Sequence, residues 1–282
     1  MNKLDPKGMK VVFVGRRTGV NMGIIDWLDE NYTFCAAFFI EEEWSSRKAR
    51  MKEVKKRIRR LGLLRTLDEL LFFGFYTLRY GKEENRLWTR QLTEQFGTNS
   101  TFDKPCYSCD NIHKVSWLKK IKEIAPDIIL GTCTRTIFKP KLFNIPKFGM
   151  FVIHEGITPE YRGLYTVGWA LLHGKPEYVG YTLLKIDEGI DSGPILCQGS
   201  FPDADKFGFY WRFVGHLALV HGLPDMKQAL DALYRHNGAF DEVPQVGRIS
   251  KNYSWIRFSS YLLIRWRALL HRLSNRETTR RA

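Results

Sequence analysis

His154 closes the apolar run FGMFVIH (148–154) and precedes a turn rich in glycine and proline, EGITPEYRG (155–163). An imidazole at the end of a buried strand can exchange a proton near neutral pH when a carboxylate orients its ring and offsets the charge it gains. Asp191 is the candidate carboxylate, 37 positions on, in the acidic turn DEGIDSGP (187–194) between two apolar runs. A structural role suits such a pair equally well. Strand alternation puts Val152 on the same face as His154, where it offers no hydrogen-bond donor. Nearer the N-terminus, Gly15, Gly19 and Gly23 follow KVVFV at four-residue spacing, with Arg16 and Arg17 beside the first glycine. This is not G-x-G-x-x-G. It reads either as a phosphate held at a helix N-terminus or as a tight strand-to-helix turn with solvated arginines. Cys106 and Cys109, followed by His113, have half of a zinc spacing and no fourth ligand nearby, so no metal is expected.

The elements that must position these residues follow an α/β pattern. Lys10 to Val14 and Phe34 to Ile40 read as buried strands around the glycine turn and a helix, the opening of a doubly wound sheet. Trp117 to Ile124 reads as a helix, Asp127 to Leu130 and Phe148 to His154 as strands, and Gly163 to His173 as a helix. Tyr178 to Ile186 and Pro194 to Gln198 then form a strand pair around the acidic turn. Residues 41–96 break this rhythm with long, charged, helix-period sequence, in which Leu64, Leu67, Leu71, Phe75 and Leu78 form an amphipathic stripe. The expected division is an α/β domain over 1–205 with a basic helical insertion at 41–96, a helical extension over 206–252, and a basic amphipathic tail helix over 253–282. Phe207 to Leu219 and Asp225 to His236 are the helical periods of the extension, and residues 237–252 read as linker. Trp255, Phe258, Leu262, Trp266, Leu269 and Leu273 form the apolar stripe of the tail, with Arg257, Arg265, Arg267 and Arg272 off it.

The net charge of +14 is concentrated rather than spread. Residues 44–65 hold ten lysines and arginines against Glu53, and residues 248–282 hold nine against Glu277, so the rest of the chain is slightly acidic. Without an aromatic-interleaved or recognisable nucleic-acid module, no nucleic-acid partner is expected. The basic helices leave open a peripheral membrane contact, solvated faces, or docking of the tail on the protein's own core or on a second subunit of a homodimer. No run reaches the roughly 18 apolar residues of a membrane span, and MNKLDPKGMK lacks the apolar stretch of a signal peptide. A cytoplasmic chain is expected, with membrane association as its variant.

Three blocks in order, IHEGITPEYRG (153–163), ALLHG (170–174) and GYTLLKIDEGIDSGPIL (180–196), resemble the formyltransferase family that uses 10-formyltetrahydrofolate. The resemblance covers roughly residues 10–40 and 115–200 and implies a Rossmann-like α/β fold. It also implies 10-formyltetrahydrofolate as formyl donor and a small-molecule primary amine as acceptor. By position, His154 and Asp191 match the family's catalytic His and Asp, while Val152 occupies the place of the Asn that donates to the oxyanion. The family's use of the first turn for the acceptor points to Gly15, Arg16 and Arg17 as substrate-binding residues, with Thr132 and Arg162 as further candidates; the candidates for a substitute oxyanion donor are a backbone amide, Thr132 or Thr134, and an ordered water. A β-rich C-terminal domain, as in the tRNA enzymes, is not expected in the helical sequence after residue 200. The first turn also lacks the serine-rich loop expected for glycinamide ribonucleotide. A nucleotide-linked amino sugar is therefore the favoured acceptor; the alternative is a catalytically weak relative that binds folate or a nucleotide sugar.

Overall fold

The structure, a computed structural model, describes residues 5–40, 47–96, 103–132 and 136–267. Its elements run β1 (Lys10–Gly15), α1 (Gly19–Asn31), β2 (Thr33–Ile40), α2 (Arg47–Leu61), α3 (Leu63–Phe96), β3 (Cys106–Cys109), α4 (Val115–Ile124) and β4 (Ile128–Thr132). They continue with α5 (Pro140–Phe143), β5 (Gly149–Glu155), β6 (Arg162–Gly163), α6 (Thr166–Leu172), β7 (Gly180–Lys185), β8 (Ile195–Ser200), α7 (Trp211–His221), α8 (Leu223–Arg235) and β9 (Asn252–Tyr253). A last helix, α9, spans 258–267. The sheet order is β3-β2-β1-β4-β5-β7-β8, parallel from β3 to β5 and antiparallel at β7 and β8.

Helices cover both faces of the sheet, because the parallel strands are apolar on both sides. Val11, Phe13, Leu130 and Phe151 face Ile24 and Leu28 of α1 together with Leu219, Leu230 and Leu233 of α7 and α8. Val12, Val14, Phe38 and Ile129 face Leu118 and Ile121 of α4 and Leu142 of α5. The helices expected as an extension beyond residue 205 thus contribute to the same core as the strands. Alternation alone could not reveal this, since an amphipathic helix does not state which apolar surface it meets.

A third apolar cluster joins the helical insertion to the C-terminal segment. Phe72 and Tyr76 of α3 pack with Val167, Trp211, Ile256 and Tyr261. In the expected tail, Trp255, Ile256 and Tyr261 are buried, whereas Leu262 and Trp266 of α9 are exposed. Leu269, Arg272 and Leu273 lie outside the described residues. The stripe Leu64, Leu67, Leu71, Leu78 is also exposed, and α3 instead buries Thr66, Glu69, Phe72, Tyr76 and Glu84. The two acids are tolerated inside because one is ion-paired and the other is hydrogen-bonded. Glu69 pairs with Arg57 and, at 3.5 Å, with Arg65. Glu84 accepts from the Tyr76 hydroxyl at 2.5 Å and from the Arg212 and Phe213 amides at 3.0 and 3.1 Å.

Candidate active site

Strand order reverses between β1 and β4, and the crevice beyond their carboxyl ends is where open α/β sheets hold ligands. Register places Gly15, Thr132 and Ile153 in one row across β1, β4 and β5, so His154 lies one residue beyond that row at the same edge. A Cβ at Gly15 would stand 2.8 Å from the Phe13 ring and 2.9 Å from the Thr132 carbonyl. Glycine is required there by the close approach of the strands. Thr18 caps α1 by accepting from the Asn21 amide at 3.3 Å, and Asn21 Nδ2 donates to the Arg16 carbonyl at 2.7 Å. This holds the arginine turn against the mouth of the sheet. Arg16 and Arg17 line a cavity of about 390 Å³ with Phe39, Ile40, Cys106, Tyr107 and Ser108. The Arg17 guanidinium lies 5.5 Å from the Phe39 ring centroid.

His154 is 8% exposed. Its Nε2 lies 2.9 Å from the Tyr161 carbonyl, which can only accept, so Nε2 carries a proton and donates it. Nδ1 faces Asp191 Oδ2 at 3.5 Å. The same carboxylate oxygen accepts from the Gly163 amide at 2.9 Å. Asp191 adopts a left-handed backbone, φ +46°, within a turn organised by Asp187, whose Oδ1 accepts from the Gly189 amide at 2.9 Å and the Ser192 hydroxyl at 3.0 Å. A Cβ at Gly193 would come within 1.9 Å of the Lys185 carbonyl, so the turn closes only with glycine there.

Val152 shares the sheet face of His154 and is partly buried with Met150 near Gly131. Thr132 is buried at the end of β4; Thr134 lies outside the described residues. Arg162 is half-buried on β6, its amide bonded to the Lys251 carbonyl at 3.0 Å. Among the described residues no group of three histidine, cysteine or acidic side chains is arranged to hold a metal, and His113 Nε2 lies 3.1 Å from the Ile137 carbonyl.

Several positioning groups had no signal in the sequence. The stretch read as linker, 237–252, straps the site loop: Arg248 binds Glu160 through Nε at 2.8 Å and Nη2 at 2.6 Å, and Gln198 Oε1 at 3.0 Å. Gln198 Nε2 in turn donates to the Thr158 carbonyl at 2.7 Å and Thr182 Oγ1 at 2.8 Å. Asn252 and Tyr253 pair with Arg162 and Gly163, which is why α6 starts at Thr166 instead of Gly163. Gly163 permits this pairing, since a Cβ there would meet the Tyr253 carbonyl at 2.4 Å.

Residues 84–203, which hold His154, Asp191 and the loops that join them, match the family described as formyl transferase. A methionyl-tRNA formyltransferase of Kosmotoga olearia is 33% identical over 121 residues, 42% of this chain and 37% of that protein. The bifunctional polymyxin resistance protein ArnA of Wigglesworthia glossinidia brevipalpis is 33% identical over 102 residues, 36% of this chain and 15% of that protein. The chain thus spans less than half the length of either relative. A sugar N-formyltransferase of a Shewanella species superposes with a TM-score of 0.51 at 15% identity, over 91% of this chain and 87% of that one. Glycinamide ribonucleotide transformylase 1 of Symbiobacterium toebii gives 0.51 at 13% identity, over 82% and 89%. These two likenesses bear on the fold, which is the Rossmann-like α/β fold of the formyltransferase structures. The family stretch begins inside α3, so α2 and residues 63–83 of α3 lie outside it.

Proposed function

We propose that the protein transfers a formyl group from 10-formyltetrahydrofolate to the primary amine of a small substrate, a nucleotide-linked amino sugar. The observation that carries this reading is the placement of His154 Nδ1 against Asp191 at the carboxyl edge of the sheet. With Nε2–H committed to the Tyr161 carbonyl, Nδ1 is the nitrogen left to take a proton. The donor supplies an electrophilic formyl carbon. As the amine nitrogen bonds to that carbon, the amine loses a proton, which Nδ1 receives, and the imidazolium formed faces the Asp191 carboxylate. The C–N bond to the folate then breaks, and the same proton passes to the departing nitrogen. Asp191 is held for this role by the Gly163 amide and by the Asp187 turn.

For the acceptor, Arg16 and Arg17 beside Tyr107 supply cationic and aromatic groups suited to a phosphate-linked ring. A second reading, a weak relative that binds folate or a nucleotide sugar without efficient turnover, is favoured by Val152: an apolar side chain stands where an oxyanion donor would contribute about 10² to 10³ in rate.

Mass spectrometry of a panel of nucleotide amino sugars incubated with protein and 10-formyltetrahydrofolate tests both. Formylated product is expected, with His154→Ala slower by about 10² or more and Asp191→Asn slower with a shifted pH–rate profile. Binding of folate without transfer selects the second reading. Absence of folate binding overturns both.

A further inference from the structure

The line Leu64, Leu67, Leu71, Leu78 falls at i, i+3, i+7 and i+14 along one side of α3. It points to solvent, with Leu64 84% and Leu78 90% exposed. In a folded domain such a line ordinarily turns inward; here the inward side is already filled by Phe72 and Tyr76. Phe75, at the margin of the leucine line, packs against Phe258 and Tyr261 of α9 with ring centroids at 5.3 and 5.2 Å. Helix α9 therefore lies beside the line, and its own outward side chains include Leu262 and Trp266, the latter 59% exposed. Helix α2, joined to α3 by Arg57 and Glu69, carries nine basic side chains against one acid. Of these, Lys52, Lys55, Lys56, Arg59 and Arg60 are exposed next to an exposed Met51.

We propose that α2, α3 and α9 form a peripheral docking surface for an anionic lipid bilayer. Leucines and a tryptophan enter the interfacial layer while the α2 cations meet the headgroups. Charge decides the occupant. Apposing the leucine lines of two copies of this chain would bring two strongly cationic α2 helices into one neighbourhood, which repels. A nucleic acid would satisfy the cations and leave the leucines without an apolar partner. An anionic bilayer satisfies both. The attachment is peripheral: among the described residues no helix is long and apolar enough to cross a membrane.

The test is co-sedimentation of the full chain with vesicles of phosphatidylcholine alone and of phosphatidylcholine mixed with phosphatidylglycerol. The protein is expected to pellet with the mixed vesicles only, less so as salt rises. L64Q/L71Q/L78Q replaces exposed side chains with a good helix former and is expected to lower partitioning at least about tenfold. K55Q/K56Q/R59Q should lower it about fivefold per charge removed. Circular dichroism melting of each variant confirms that the fold is retained. The proposal is overturned by no pelleting of the unmodified chain with the mixed vesicles, by pelleting unchanged by the leucine substitutions, or by a dimer without vesicle binding that those substitutions dissolve. Retention on a nucleic acid in place of vesicles also overturns it.

Discussion

At the scale of residues, Val152 is where the two proposed readings, a competent formyl-transfer site and a weakened one, part. It lies on the His154 face of β5, partly buried against Met150 and near Gly131. Val152→Asn is close in volume, so overpacking is small, and an amide left unsatisfied in that setting costs about 1 to 3 kcal/mol of stability. If the site lacks an oxyanion donor, single-turnover formyl transfer should rise at least about tenfold, a fraction of a donor's full contribution. If a donor such as Thr132 already serves, the new amide competes with it and the rate stays level or falls. Side-by-side single-turnover measurements distinguish the two. The residues read as substrate-binding remain a proposal, with Gly15, Arg16 and Arg17 at one mouth of the sheet and Arg162 on the loop strapped by Arg248.

At the scale of elements, α3 acts as a brace. Glu84 reaches the start of α7, where the first amides of a helix have no partner within it, and binds two of them together with the Tyr76 hydroxyl. A carboxylate there also complements the helix dipole. Glu84→Ala leaves these buried groups unsatisfied and is expected to lower stability by about 2 to 4 kcal/mol in urea unfolding. A loss below about 1 kcal/mol would mean that solvent reaches the start of α7 and Glu84 is not its cap. Glu84→Gln keeps an acceptor and should fall between the two.

At the scale of the whole molecule, acid sensitivity follows from two histidines that folding leaves hard to protonate. Burial holds His113 below its ordinary 6.5, only partly offset by its bond to the Ile137 carbonyl, with Lys141 and Lys139 adding to the depression. Burial also holds His173 below 6.5, with Lys251 and Lys175 adding to it. The unfolded chain therefore binds more protons than the folded one at and below about pH 6.5, so stability falls as pH drops through that value toward the lower folded pKa values. Melting temperatures from pH 8 downward should decline below this point. The His113→Gln/His173→Gln protein should show a shallower decline whatever its absolute stability; an unchanged slope would assign the acid sensitivity to other groups.

The sequence by itself determined the doubly wound sheet, because strand burial, glycine turns and helix periods are local properties repeated along the chain. Three ordered blocks also carried the resemblance to the formyltransferase family, and the structure brings the two residues it singled out, His154 and Asp191, within 3.5 Å. Tertiary structure alone decided what those patterns could not carry. The period of α3 was legible, but its outward leucines and inward Phe72, Tyr76 and Glu84 depend on partners supplied from residues 211–261, and its inward Glu69 on Arg57 of α2. Residues 237–252, polar and without period, became the strap that pins the site loop through Arg248 and the β6–β9 pair. A periodic pattern specifies how an element is built. Which side of it is buried is set by surfaces that meet only when distant segments pack, a matter of contact and charge pairing across the fold rather than of spacing along the chain.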